Sequence, residues 1–359
     1  MTPPAADRRL TGALLGWFRR AARDLPWRDA PAGARDPYRV LVSEMMLQQT
    51  QVSRVAERFP AFIRRFPTVR ALAGAHEHEV LAAWSGMGYY RRARLLHAAA
   101  RAVVLDHRGE FPREPDAIRA LPGVGRYTAG AVASIAHGLP EPIVDGNVAR
   151  VLLRVHGRPE RPDDRATAKW LWSRAADLVS AASDPGAFNE AIMELGATVC
   201  TPRSPRCSAC PIADDCDARR LGTQDEIPPP KRPATRRPLF VGVALAVDTR
   251  GRRLVEQRPP TGLWAGLWQA PSVERADRFP SRPEIAESTR LSVEADQPIE
   301  RFTHQTTHRE VRFEVWPVSR GRAGGGRVWR SPGQIEDLAL GTPQRRILLE
   351  LHAGPDATA

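Results

Sequence analysis

Apolar residues recur at helical spacing along the first two-thirds of the chain. Leu10, Leu14, Leu15, Trp17 and Phe18 form one stripe, and Val52, Val55, Phe59, Phe62 and Phe66 form another. The run from His78 to Asp106 reads as two helices broken at Gly86-Met87-Gly88, and 164–180 reads as another. At 225–238, "DEIPPPKRPATRRP", three consecutive prolines predict a semi-rigid linker. Beyond it the period changes. "LFVGVALAVD" and "EVRFEVWPV" are short runs rich in β-branched and aromatic residues, as in strands, and "TPQRRILLELH" predicts a closing helix. The pattern predicts a multidomain α plus α/β protein: a helical domain at 8–224, the linker at 225–238 and an α/β domain at 239–355. "GRAGGGR" near 321 reads as a flexible turn.

The 359 residues suffice for two such domains. A net charge of +12 and a pI of about 10.7 suit a polyanionic partner, nucleic acid or an acidic surface. Nearly all of the positive charge is arginine, since Lys169 and Lys231 are the two lysines. No apolar run reaches the roughly 18–20 residues of a membrane span. The first residues read as an amphipathic helix rather than a secretion signal, so a cytoplasmic protein with no membrane partner is expected.

The four cysteines occupy one window with spacing C-x6-C-x2-C-x5-C: Cys200, Cys207, Cys210 and Cys216. Disulfides do not suit a chain without a secretion signal. Structural zinc usually takes two short Cys-x-x-Cys units, and one is present. A [4Fe–4S] cluster, held by four thiolates in an irregular loop, fits this spacing better, with zinc the other reading. Arg203, Arg206, Arg219 and Arg220 lie in or beside the loop.

Residues 116–137 read as helix, Pro-Gly-Val-Gly turn, helix. Gly123, Val124 and Gly125 would bring backbone close to a ligand, and the second helix would point unpaired N–H groups at it. The other reading is an ordinary corner between helices. Asp145 stands just before a predicted helix, where it can be an N-cap and also a carboxylate kept ionised by the helix dipole. Glu44, among Val40, Leu41, Met45, Met46 and Leu47, is either an exposed stripe or a buried acid with a raised pKa. Two carboxylates in different environments are the pair used for glycosidic cleavage.

Together "SEMMLQQTQV", "MGYYRRARLL", "LPGVGRYTAG", "VDGNVARV" and the cysteine loop resemble the MutY family of adenine DNA glycosylases, a branch of the helix-hairpin-helix, endonuclease III-like superfamily. The resemblance covers residues 8–220 closely and continues through "GLWAGLWQAP" and "FTHQTTH". It implies an all-α helix-hairpin-helix core with a [4Fe–4S] loop, followed by a Nudix-like domain. It implies a monomer that removes adenine mispaired with 8-oxoguanine or guanine in duplex DNA. Glu44 matches the general acid and Asp145 the carboxylate that stabilises the oxocarbenium ion, with Tyr127 and Asn147 positioning them. Trp27, Arg28 and Glu190 match the adenine pocket, and Gln49 and Tyr89 the wedge in the DNA stack. Bifunctional relatives carry a lysine at the position of Tyr127. A tyrosine there implies a glycosylase that uses water and does not cut the strand.

The acids of "SVERADRFPSRPEIAESTRLSVEAD" do not form the Glu-rich box of a Nudix hydrolase, so recognition without hydrolysis is expected. Thr307 and His308 match the 8-oxoguanine-reading loop. Thr306 stands where the family commonly has an aromatic, which leaves the packing of that loop open. Competing readings are a bifunctional glycosylase/lyase, a Nudix nucleotide hydrolase and a non-catalytic iron–sulfur DNA-binding protein.

Overall fold

The computed structural model describes residues 3–230, 235–318 and 324–351. Lys231, the first part of the glycine-rich turn near 321 and the end of the chain from 352 lie outside the described residues. Contacts divide the chain into two compact units, Met1–Ala75 with Arg91–Lys231, and His76–Tyr90 with Arg232–Ala359.

The helices run in order α1 (Ala5–Ala21), α2 (Pro37–Leu47), α3 (Val52–Arg65), α4 (Val69–Gly74), α5 (Glu77–Ala83), α6 (Arg91–Asp106), α7 (Pro115–Arg119), α8 (Arg126–Ala131), α9 (Gly146–Val155), α10 (Arg165–Ala181), α11 (Pro185–Thr198) and α12 (Asp217–Leu221). All but α5 belong to the first unit. Their starts follow local rules. Asp36-Pro37 and Asp184-Pro185 each put an acceptor at the N-cap and a proline at the first helical position, and both aspartates accept backbone N–H groups. On α3 the apolar stripe is the buried face, with Val55, Phe59 and Phe62 inside, and Phe66 follows it into the core. Val52, the first residue of that stripe, is only half-buried.

In the second unit β1 (Arg237–Ala246) runs parallel to β6 (Arg309–Val318), pairing from Arg237 with Arg309 to Ala246 with Val318. The strands β4 (Ser272–Arg275) and β5 (Glu300–Gln305) flank them antiparallel, in the order β4-β1-β6-β5. A smaller sheet has the order β3 (Trp268–Gln269), β2 (Arg253–Gln257), β7 (Arg327–Arg330). The helices α13 (Arg282–Thr289), α14 (Pro332–Glu336) and α15 (Thr342–Arg345) complete the unit, and the chain continues from α15 as a π-helical turn to Glu350. The central strands read as unbroken apolar runs because both faces are covered. Val241, Val243, Leu245, Phe313 and Val315 enter one core, and Ala244, Ala246, Trp316 and Val318 enter another.

The segment expected as a linker is not linker throughout. Ile227 is buried, and its carbonyl accepts the Arg154 Nε–H at 2.7 Å. At the other end β1 begins at Arg237, before the expected boundary at 239, because its first residue already pairs with Arg309.

Candidate active site

A cavity of about 730 Å³ in the helical unit is lined by Trp27, Arg28, Glu44, Tyr127, Asp145 and Glu190, with Gln49, Gly123, Gly125 and Asn147 also on its wall. Helix α2 supplies Glu44, α8 Tyr127, the start of α9 Asp145 and Asn147, and α11 Glu190. Five distant stretches of sequence therefore meet in one pocket.

Glu44 is the buried acid of the two readings, at 5% exposure. Burial in an apolar helix pushes its carboxyl up to about 7, and the charges of Glu190 and Asp145 act in the same direction. The Tyr127 hydroxyl donates to Glu44 Oε2 at 2.8 Å and pulls the other way. The Tyr127 phenol itself is held protonated, well above its usual range, by burial and by the neighbouring carboxylates. It also lies 3.1 Å from Met193 Sδ.

Asp145 caps α9, accepting the Val148 N–H at 2.7 Å on Oδ1 and the Asn147 side-chain amide at 3.1 Å on Oδ2. Burial dominates and raises the carboxyl, while Val148 and Asn147 oppose it. Asn147 is fixed in turn. Arg150 Nη2 donates to Asn147 Oδ1 at 2.9 Å and to the Gly196 carbonyl at 2.8 Å, and Arg150 Nε donates to the Cys200 carbonyl at 2.8 Å. A side chain at Gly196 would put its Cβ 2.6 Å from that of Asn147, so α11 and α9 approach this closely only with glycine there.

Around Glu190 the charges interlock. Its Oε1 accepts Arg28 Nε at 2.9 Å and Arg35 Nη1 at 2.8 Å. Arg28 Nη2 reaches Glu194 Oε2 at 3.1 Å, and Glu194 also takes both prongs of the Arg23 fork. Burial would raise the Glu194 carboxyl, but Arg23 and Arg28 more than offset it and hold its pKa below the usual range. Arg23, Arg35 and Glu194 were not among the residues singled out from the sequence. The available signal was the four-residue spacing of Glu190 and Glu194, which puts both on one face of α11. Trp27 packs edge-on against Phe59, with ring centroids 5.8 Å apart.

In the hairpin Gly123 has φ +76°, a conformation only glycine adopts readily, and a Cβ there would strike Leu95. Val124 is buried and donates its N–H to Leu121 O, while Gly125 caps α8. The two wedge candidates share a backbone feature. Gln49 has φ +55° and Tyr89 φ +47°, both left-handed, and such strain in a non-glycine residue gathers at functional sites. Gln49 belongs to the first unit and Tyr89, half-exposed, to the second.

The cysteine loop follows α11. All four thiols are free, half-buried and line one cavity together with Arg154. Four cysteine thiols around one small cavity match the donor set of a [4Fe–4S] cluster. Burial and the neighbouring thiols push the Cys210 thiol up to about 11. Arg154, fully buried, donates to the Thr201 and Pro202 carbonyls, and its Nη1 lies 3.4 Å from Cys200 Sγ. Arg150 and Arg154, four apart on α9, were also missed in the sequence.

In the second unit Thr306, Thr307 and His308 form the turn between β5 and β6. The question left by Thr306 is answered by hydrogen bonds. Its Oγ1 accepts the Arg309 N–H at 3.0 Å, and its own N–H donates to Arg309 O at 2.8 Å. The Thr307 hydroxyl is hydrogen-bonded to the Tyr89 hydroxyl, and His308 is exposed. Several acids of this unit are engaged by arginine: Glu256 with Arg327, Glu274 with Arg258, Glu284 with Arg278.

A helical core with a glycine hairpin, a cysteine loop and two carboxylates in one pocket, one buried and one half-buried, defines a base-excision glycosylase, joined here to a Nudix-type domain. Family models agree segment by segment. Residues 42–176 match the HhH-GPD superfamily of base excision DNA repair proteins, 200–216 the iron–sulfur binding domain of endonuclease III, and 242–350 a NUDIX domain. The chain is 40% identical over 399 residues to the human adenine DNA glycosylase, covering 94% of this chain and 72% of that one. It is 46% identical over 214 residues to the adenine DNA glycosylase of Mycolicibacterium smegmatis, covering 58% and 69%. A solved thermostable thymine-DNA glycosylase is 29% identical with a TM-score of 0.53, covering 60% of this chain and 98% of that one. An endonuclease III from a DNA complex, 23% identical with a TM-score of 0.50, covers 62% and 100% and shares the fold. The chain belongs to the adenine DNA glycosylase family.

Proposed function

We propose that this protein is a monofunctional glycosylase that flips adenine out of duplex DNA and hydrolyses its N-glycosidic bond, acting on adenine opposite 8-oxoguanine or guanine. The observation that carries this reading is the pair of carboxylates, Glu44 buried and Asp145 half-buried, in one pocket. Glu44 has a pKa near 7 and a Tyr127 hydrogen bond, and Asp145 is held by Val148 and Asn147.

Adenine leaves poorly as an anion. Glu44, half protonated near neutrality, gives its proton to the base. The C1′–N9 bond breaks, its electrons go to the protonated purine, and the sugar becomes an oxocarbenium ion. The Asp145 carboxylate faces that cation. The Glu44 carboxylate then takes a proton from water as the water oxygen bonds to C1′, leaving free adenine and an abasic sugar. Asp145 can act only if its position is fixed, which the bonds from Val148 and Asn147 provide. Tyr127 has no amine to attack the sugar, and Lys169 is exposed on α10, outside the pocket lining. Strand cleavage is therefore not part of the reaction.

Trp27, Arg28 and Glu190 would receive the flipped base, and Gln49 and Tyr89 would fill the vacated stack. The hairpin and the arginines about the cysteine loop would hold phosphates. A [4Fe–4S] cluster on Cys200, Cys207, Cys210 and Cys216 would order that loop. Thr307 and His308 would read 8-oxoguanine, whose N7–H is a donor where guanine has an acceptor. The protein would act as a monomer, in the cytoplasm.

Incubation with duplexes carrying adenine opposite 8-oxoguanine, G, C or T, each with and without alkali, tests this reading. Adenine release opposite 8-oxoguanine and G, with strand breaks only after alkali and no borohydride-trapped protein–DNA complex, is expected. Breaks without alkali, or efficient trapping, would show a lyase.

A further inference from the structure

Residues 48–51 join α2 to α3, and one of them is strained. Gln48 closes α2 with φ −56° and ψ 114°, Gln49 follows at φ +55°, and the Thr50 N–H donates to the Leu47 carbonyl at 3.3 Å. That is the pattern of a type II turn, whose third residue is ordinarily glycine because glycine takes a positive φ at no steric cost. Here the third residue carries an exposed side chain on the wall of the pocket, with Gln48 and Thr50 on the same wall. Glycine would relax the turn and delete that side chain. With glutamine, something outside the turn must hold it against its own preference.

The holder comes from another helix. Arg92 is buried in the first turn of α6. Its Nη1 donates to the Met45 carbonyl at 3.0 Å and the Met46 carbonyl at 2.9 Å, and reaches the Gln48 carbonyl as well. Its Nη2 donates to Thr50 Oγ1 at 2.9 Å. Met45 and Met46 lie in the last turn of α2, where carbonyls lack partners further along the helix and a cation suits the negative end of the helix dipole. One guanidinium thus grips the residue before Gln49 and the residue after it, and ties both to the end of the helix that carries Glu44. The fork is planar and rigid, so it sets the direction of the turn as well as its place.

We infer that Arg92 is a positioning residue for base extrusion: by gripping Gln48 and Thr50 it keeps Gln49 left-handed and ready to fill the space that the flipped base leaves in the stack. This deepens the reading of Gln49 as the wedge and rests on it. A base drawn out of the duplex has lost its stacking and pairing, and a side chain in its place offsets part of that cost. Without the grip the turn relaxes at Gln49 and its side chain takes another direction. The flipped state then loses population, while Glu44 and Asp145 keep their places and their chemistry.

A double-mutant cycle in the full-length protein tests the idea, on duplexes with adenine opposite 8-oxoguanine and 2-aminopurine as the neighbouring base, whose fluorescence reports unstacking. Arg92→Met and Gln49→Ala are each expected to lower single-turnover excision and the unstacking signal on the order of tenfold. The double variant should be no slower than Gln49→Ala alone, because Arg92 acts through that side chain. The alkaline limb of excision, set by Glu44, should stay in place in Arg92→Met. Thr50→Val, which removes one acceptor of the grip, should give the same pattern at smaller size, and it decides the matter if Arg92→Met does not fold. Additive losses, or a displaced alkaline limb, would make Arg92 a support for α2 as a whole and overturn the proposal. Gln49→Ala that excises and unstacks like wild type overturns the wedge reading and the proposal together. A slow Gln49→Ala beside an Arg92→Met that behaves as wild type overturns the role of Arg92 alone.

Discussion

The Tyr127 hydroxyl donates to Oε2 of Glu44 at 2.8 Å, from a helix more than eighty residues along the chain. This bond favours the ionised carboxylate, whereas burial favours the neutral acid, and burial wins, leaving the carboxyl at about 7. An acid with that pKa is still half protonated at neutral pH, and its conjugate base is strong enough to take a proton from water.

Removing the phenol therefore has a signed consequence. Tyr127→Phe takes away the one hydrogen bond that lowers the Glu44 pKa, so the alkaline limb of single-turnover excision should move to higher pH. One neutral donor contributes on the order of 1 kcal/mol, so the shift should be at most about one pH unit. A limb that stays in place, or moves down, would separate Tyr127 from the tuning of Glu44.

Glu44→Gln should leave DNA affinity nearly intact and slow excision roughly 10²–10⁴-fold, the usual contribution of a general acid. It should also change stability in a pH-dependent way. The folded pKa of Glu44 lies above its ordinary value of 4.5. The stability this group contributes is thus fully present below pH 4.5 and is lost as pH rises through about 7. Glutamine escapes that loss. The Tm of the variant relative to wild type should rise across the pH range from about 5 to about 8, and a flat difference would show that Glu44 is not strained by burial.

Asp145→Asn keeps the shape of the cap and an acceptor for the Val148 N–H. A cap worth about 1 kcal/mol should survive largely unchanged, so the variant should melt close to wild type and bind DNA, yet excise adenine at least a hundredfold more slowly, on the order expected for lost charge stabilisation at a cationic centre. Wild-type excision rates combined with an early melt would make Asp145 a cap and nothing more.

Thr307→Val removes the hydroxyl at the tip of the β5–β6 turn, while Thr306, whose side chain closes that turn, is untouched. The turn should fold. The ratio of excision opposite 8-oxoguanine to excision opposite guanine should fall about ten- to a hundredfold, corresponding to the roughly 1–3 kcal/mol of one good polar contact to a base. An unchanged ratio would place lesion reading elsewhere.

Much of this protein is written locally. Helix starts at Asp36-Pro37, Asp145-Gly146 and Asp184-Pro185 follow from side-chain acceptors and proline geometry, which act over three or four residues. The stripe of Val55, Phe59 and Phe62 fixes which face of α3 is buried, and the unbroken apolar runs of β1 and β6 signal strands covered on both faces. The spacing of four cysteines in seventeen residues limits what they can bind. What local rules could not decide depends on groups far apart in the chain. Glu44 sits in an apolar run compatible with either exposure or burial, and only the packing of α2 against α3, α6 and α8 made it a buried acid. Asp145 caps its helix by a local rule, but the desolvation that raises its carboxyl is a property of everything around it. Arg23, Arg28, Arg35, Glu190 and Glu194 are ordinary charges along the sequence. They form one clamp because α11 lies beside the segment that follows α1, and only there do their hydrogen bonds leave a single oxygen bare. Secondary structure is set by neighbours in the chain, whereas the charge state and the free valence of a buried group are set by neighbours in space.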